Sequence, residues 1–246
     1  MTEPAVLVAH RGHAAEWPEN TLPALESAAA AGASWVETDV QLSADSVPLL
    51  LHDADLERVA GIGRSVFELD AAALAEIPVG EPARFGTRFK DARIPTLAAF
   101  ATWLRGRPGL RAFVELKIES LQHHGRERVL AACRAALAPA TGQWAFISSD
   151  YEVLGLAGAT GSEELGWVVR SFDDDIAERA RRLPARWLFC RHDRLPAGSL
   201  PAGPWQWVVY EVAEEPLARD LIVRGAQWLE TMNYAALAAA LAREPV

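Results

Sequence analysis

The chain has 246 residues, half of them apolar, with a formal net charge of -9. That length suits one large domain with a sizeable core, and the acidic balance argues against nucleic acid, whose phosphates call for a basic face. An anionic substrate therefore needs a local source of positive charge, and two cysteines, Cys133 and Cys190, are too few for a disulfide framework and fit reduced thiols in a cytoplasmic protein.

In chain order, Met1–Pro4 carry no basic leader, so no secretory signal is expected. Ala5–Ala9 is a short apolar strand, and directly after it comes "HRGHAAEWPENT". The Pro-Glu-Asn-Thr segment opens a helix at Leu22–Ala31, with Asn20 or Thr21 as N-cap and Pro23 in the first turn. Trp35–Val40 is the second strand. A turn signal at Ala44-Asp45-Ser46 then predicts a hairpin in which Val47–Leu51 runs back antiparallel, returning His52 to the neighbourhood of Glu37 and Asp39. Residues of about 54–95 hold glycines and short helical pieces and read as an insertion beside a barrel mouth.

Six more strands follow at Leu110–Lys117, Trp144–Ser148, Leu165–Val169, Trp187–Arg191, Trp207–Val212 and Gln227–Thr231. Helical stretches at Leu97–Arg105, Arg126–Leu137, Asp150–Leu156, Asp173–Arg182 and Pro216–Arg224 separate most of them. Eight strands alternating with helices predict a closed α/β TIM (β/α)8 barrel, one domain over residues 1–246, with a small insertion between the second and third barrel strands. No apolar run is long enough to cross a bilayer, so no stable membrane insertion is expected.

Glu37 and Asp39 sit two apart on one strand, which puts both side chains on one face. Glu115 and Lys117 repeat the spacing on the next barrel strand. Three converging carboxylates make a hard-oxygen site that suits Mg²⁺ or Ca²⁺ better than Zn²⁺. His10 and His52 both follow strand ends, and a histidine exchanges protons near neutral pH with little tuning. Arg11 and Lys117 are the cations placed to hold phosphate oxygens. Each motif alone also fits a blander role: a structural histidine, a solvated Glu-x-Asp edge, a surface Glu-x-Lys pair. His13, His123, His124 and His192 have no partner pattern, and Asp173–Asp175 read as a helix N-terminus.

Taken together the motifs resemble the glycerophosphodiester phosphodiesterase family. Its His-Arg-Gly, Pro-Glu-Asn-Thr, Gly-Ala and Glu-x-Asp-Val are matched by His10–Gly12, Pro18–Thr21, Gly32-Ala33 and Glu37–Val40. Val47–Asp53, Leu56–Arg58, Ile94–Leu97 and Glu115–Lys117 match its later signatures. The resemblance implies a TIM barrel and a divalent metal ion on Glu37, Asp39 and Glu115. It also implies His10 and His52 as acid and base, Arg11 and Lys117 on phosphate, and Glu19 bracing the first loop. The implied reaction cleaves a small glycerophosphodiester to an alcohol and glycerol 3-phosphate.

The second half departs from that pattern. Tyr210 stands where the family carries tryptophan, Met232 where it carries aspartate, and Ser46 where the hairpin glycine would be. Glu211 either reaches into the pocket or faces solvent. Two other functions are consistent with the sequence. One is a lysophospholipase D-like phosphodiesterase on lipid-linked diesters, with Trp17, Ile62 and Phe67 as the apolar rim. The other is a binding barrel without catalysis. A homo-oligomer is compatible with all three.

Overall fold

The computed structural model describes residues 5–243. Met1–Pro4, expected to carry no leader, lie outside the described residues. The strands are β1 (Val6–Ala9), β2 (Trp35–Leu42), β3 (Pro48–Leu50), β4 (Asp55–Leu56), β5 (Ile62–Ser65), β6 (Arg111–Leu116), β7 (Trp144–Ser148), β8 (Glu164–Val169), β9 (Trp187–Arg191), β10 (Gln206–Tyr210) and β11 (Trp228–Thr231). β1, β2 and β6 to β11 pair in parallel, and β1 closes the ring by pairing with both β2 and β11. This is the expected eight-stranded barrel with crossover helices between strands.

Two layers of core follow from the period of two along each strand. Inward-facing Val8, Trp35, Phe113, Ala145, Ile147, Trp187, Phe189, Val208 and Trp228 fill the interior. Alternate residues such as Val36, Val40, Val114 and Leu229 face outward into the helix layer. The interior filling is mostly aromatic. Trp35 stacks on Phe113 with centroids 4.5 Å apart and meets Trp228 edge-on at 5.1 Å. Such pairs add about 0.5–1.5 kcal/mol each beyond the area they bury. The barrel is therefore plugged, and open space remains only above the plug, at the strands' C-terminal ends.

The hairpin forms as expected: β3 runs antiparallel to β2, with Val40 opposite Leu50 and Leu42 opposite Pro48. The segment that follows packs a small core of its own from Leu49, Leu51, Leu56, Val59, Val66, Leu74, Val79 and Ile94. It lies between β2 and β6, the second and third barrel strands. Two helices have no counterpart in the sequence reading, Ile118–His124 and Tyr234–Leu241. The first is short and polar, and the second is nearly all alanine and leucine, which carries no amphipathic period. Lys117 falls just past β6 and forms the N-cap position of the first of these helices. Thr21 is the N-cap of the first helix, accepting from the Ala24 amide, and Asp173 caps its own helix by accepting from Ile176.

Ser46, in the hairpin turn, has φ of +64°. A non-glycine residue pays roughly 1–2 kcal/mol there, and glycine returns about 0.5–1 kcal/mol of that in unfolded-chain entropy. Ser46→Gly is expected to stabilise the fold by about 0.5–1 kcal/mol, raising the thermal midpoint by about 1–3 °C. Differential scanning calorimetry of the two proteins checks this, and an unchanged or lower midpoint contradicts it.

Candidate active site

The site is built upward from the plug. Two residues beyond Trp35, Phe113 and Trp228 come Glu37, Glu115 and Glu230, each one inward step nearer the mouth. Asp39 is one further step along β2. His10 follows β1, His52 follows the returning hairpin strand, and Lys117 follows β6. His10, Arg11, Glu37, His52, Glu115, Lys117, Tyr210, Glu211 and Glu230 share one cavity of ≈ 240 Å³. Larger hollows exist, such as one of ≈ 490 Å³ lined by Arg111, Arg134 and Glu163 at the opposite end of the barrel. That one holds only arginines already paired with glutamates and no acid–base partner.

Of the sequence-predicted residues, Glu19 and Asp39 lie off the cavity lining, and the other six are on it. Glu37, Asp39 and Glu115 each offer a carboxylate oxygen, all within 4.8 Å of one another. Glu37 and Asp39 are buried; Glu37 Oε1 has no hydrogen-bond partner, and Asp39 Oδ1 faces only the Lys117 ammonium. An oxygen-only donor set with uncommitted buried lone pairs fits a hard divalent cation. Lys117 Nζ, 3.3 Å from Asp39 and 3.4 Å from Glu115, and Arg11 Nε, 3.1 Å from Asp39, balance part of the charge.

The electrostatics differ from acid to acid. Burial pushes Glu37 and Glu230 well up, and neighbouring carboxylates push them further. Burial, resisted by Lys117 and reinforced by Asp39, pushes Glu115 up to about 7. Burial acts on Asp39 in the same direction, but Arg11, Lys117 and His52 outweigh it and hold the group well below the usual carboxylate range. Burial, with Arg11 adding, lowers His10.

The first loop is fastened at several points. The Arg11 amide donates to Glu37 Oε2 at 3.1 Å. Asn20 donates to Asp39 Oδ2 at 2.9 Å and accepts from both Thr38 Oγ1 and the Asp39 amide. Glu19 accepts from Arg11 and receives both terminal nitrogens of Arg58. Arg58 also donates to Asp53, whose other oxygen lies 2.6 Å from His52 Nδ1. An unbroken chain thus runs from Arg11 through Glu19, Arg58 and Asp53 to His52. From the insertion, buried Glu81 accepts the Glu19 amide at 2.7 Å.

Several residues escaped the sequence reading. Asn20 was legible as a cap, yet its side chain orients Asp39. Asp53 and Arg58 belong to recognised signatures, but their link to Glu19 is a tertiary fact. Glu230 had a signal: Trp228-x-Glu230 repeats the aromatic-x-Glu spacing of Trp35-x-Glu37 and Phe113-x-Glu115. Glu211 does line the cavity, and 3.5 Å separates it from Arg191. His13 is buried against Ser27 and Asn233, and His123 stacks on Phe67, both structural contacts.

Removing Asn20's side chain leaves Asp39 without its orienting donor. Asn20→Ala is expected to weaken divalent-ion binding by about 10- to 100-fold with the fold retained. Calorimetric titration with Mg²⁺ and Ca²⁺ measures this, and wild-type affinity in the variant would contradict it.

A family model described as the glycerophosphoryl diester phosphodiesterase family matches residues 10–138, more than half of the chain. Glycerophosphodiester phosphodiesterase 1 of Rattus norvegicus is 36% identical over 95 residues, 39% of this chain and 29% of that protein. Glycerophosphodiester phosphodiesterase of Caldanaerobacter subterraneus subsp. tengcongensis is 34% identical over 92 residues, 37% of each chain. The matched stretch thus spans well under half of either relative. Among solved structures, an Oleispira antarctica phosphodiesterase in complex with the product sn-glycerol-3-phosphate superposes with a TM-score of 0.86 at 25% identity, over 97% of both chains. A glycerophosphodiester phosphodiesterase of Agrobacterium tumefaciens str. C58 shares the fold, with a TM-score of 0.75 at 22% identity over 96% of this chain and 99% of that one.

Proposed function

Because the chain belongs to the glycerophosphoryl diester phosphodiesterase family, we propose that it hydrolyses small glycerophosphodiesters to an alcohol and glycerol 3-phosphate. The observation that carries this reading is the convergence on one mouth of two imidazoles, two cations and three carboxylates at ion-holding distance. Glu37, Asp39 and Glu115 would hold Mg²⁺ or Ca²⁺. Such an ion, when bound, supplies positive charge to the phosphoryl oxygens as the transition state develops.

The remaining steps belong to the chain's own side chains. Arg11 and Lys117 hold the non-bridging oxygens of the diester. Glu19, bound to both Arg11 and Arg58, fixes the guanidinium and so the position of phosphorus. His10 lies in the buried wall, and His52 lies at the rim with Asp53 on its Nδ1. One imidazole, as base, takes a proton from the nucleophile as its oxygen bonds to phosphorus, and the other, as acid, gives a proton to the alcohol oxygen as its bond to phosphorus breaks. Asp53, 2.6 Å from Nδ1, holds the His52 ring in place at the rim, where it serves as the acid. His10, buried beside Arg11, suits the base.

The rim favours a water-soluble diester over an acylated one. Trp17 packs on Phe89 at 5.2 Å and Phe67 on His123 at 4.3 Å, so part of each ring is already covered. Among the described residues the large hydrophobic side chain left exposed is Val223, on the outer helix Glu215–Arg224. No helix among them is long and apolar enough to cross a membrane.

Hydrolysis of glycerophosphocholine with added Mg²⁺ or Ca²⁺ tests the proposal. His10→Ala and His52→Ala are each expected to lower kcat by about 10²–10⁴-fold, and a chelator to abolish turnover. Full activity in either variant, or ligand binding without turnover in the wild type, would overturn it.

The ion also ties stability to pH. Glu115 ionises near 7 in the ion-free fold against 4.5 as its ordinary value. Between those values the folded state binds more protons than the unfolded one, so ion-free stability falls as pH rises through that window. Glu37 and Glu230 act with the same sign; Asp39, already ionised, adds no slope there. An ion that takes up the carboxylate charge removes this loss. The rise in thermal midpoint on adding saturating Mg²⁺ is therefore expected to be larger at about pH 8 than at about pH 5. Equal rises at both would contradict it.

A further inference from the structure

We propose that Glu230 reads the vicinal hydroxyls of the substrate's glycerol unit, making it a specificity-determining residue for the hydrolysis proposed above, on which this inference rests.

Glu230 lies on the inner face of β11, in register with Val8 of β1 and one inward step above Trp228. It lines the same cavity as His10 and Glu115 and is 3% exposed. Its Oε1 has no hydrogen-bond partner. Its nearest ionic neighbour, His10 Nε2, is 4.0 Å from Oε2, beyond hydrogen-bond length. Glu230 also stands outside the three-carboxylate group. Neither cation is at ion-pair distance from Glu230: Arg11 faces Glu19 and Asp39, Lys117 faces Asp39 and Glu115. A buried carboxyl with no donor of its own is expensive to keep. The donor it lacks must come from what fills the cavity.

The cavity narrows the choice of donor. Its ≈ 240 Å³ accommodates a phosphate with a three-carbon polyol. Tyr210 and Phe189 are the aromatic residues in the lining, too few to cage a quaternary ammonium. The other acid at the rim, Glu211, already faces Arg191 at 3.5 Å. Two neighbouring hydroxyls can each donate to one oxygen of a single carboxylate. With phosphate on Arg11 and Lys117 and the diol on Glu230, the glycerol unit spans the mouth and leaves the alcohol toward solvent.

Glycerol 3-phosphate and n-propyl phosphate serve as competing ligands, since they share phosphate and chain length and differ in the diol. In the wild type, glycerol 3-phosphate is expected to bind at least about tenfold more tightly. Glu230→Gln, which keeps the shape, and Glu230→Leu, which removes every acceptor, are expected to shrink that ratio to about threefold and about one. Affinity for n-propyl phosphate should stay within about twofold in both, and kcat/KM on glycerophosphocholine should fall mainly through KM. Equal weakening of both ligands, an unchanged ratio, or loss of folding in both variants would overturn the inference, because Glu230 would then be structural or bear on the phosphate end. A wild type that binds both ligands with the expected ratio yet turns over no glycerophosphodiester would instead overturn the activity and leave the diol contact standing.

Discussion

The structure turns on one electrostatic conflict: four acids, three of them buried, set side by side above an aromatic plug. Glu37, Asp39 and Glu230 are buried, Glu115 is partly exposed beside them, and Arg11 and Lys117 are the cations that oppose them. Like charges this close cannot all ionise without compensation. Asp39 takes most of the help, with Lys117 at 3.3 Å, Arg11 at 3.1 Å and a hydrogen bond from Asn20. The others are left proton-hungry or cation-hungry. A site in that condition is prepared for a positive ion and for hydroxyl donors.

The backbone around the mouth is bent to serve this arrangement. Five non-glycine residues among those described have positive φ, and four of them, Arg11, Asn20, Glu81 and Glu211, stand at or beside the site. Such conformations persist only when the surroundings hold them. At Arg11 the turned amide donates to Glu37; at Asn20 the side chain grips Asp39; at Glu81 the carboxylate takes the Glu19 amide. Gly12 shows why the His-Arg-Gly order matters. Its φ is +81°, and a Cβ there would come within 2.6 Å of the Ala24 backbone. The loop can turn His10 and Arg11 into the mouth only because the third residue lets it pass against the first helix.

The barrel was legible because strand and helix periods alternate cleanly, and the hairpin because a turn signal interrupts that rhythm. Inward projection of Glu37, Asp39 and Glu115 followed from the period of two. The helix Tyr234–Leu241 was not legible, since a run of alanines has no face to detect. The partners of the recognised residues were equally hidden. Arg58 joins Glu19 to Asp53 across 39 and 5 positions of chain, and nothing local foretells that a single guanidinium serves both. Asn20 shows the opposite difficulty. Its local explanation as a helix cap was sufficient, and the cap turned out to be Thr21, which freed Asn20 for Asp39.

The aromatic-x-Glu spacing on three separate strands joins stability to chemistry in one device. Trp35, Phe113 and Trp228 interlock below, with centroids 4.5–5.8 Å apart, and close the barrel to water. The glutamate two residues on from each then stands directly above a surface that cannot solvate it. Interactions between charges strengthen in such a place, because little water screens them. The plug thus does more than fill volume: it sets the depth of the mouth and makes each acid depend on what enters. Smaller residues of the same interior cluster, Val8 and Ala145, give the rings room. Enlarging them would push the rings upward into the acids, so packing at the floor and charge at the mouth constrain each other along the same strands.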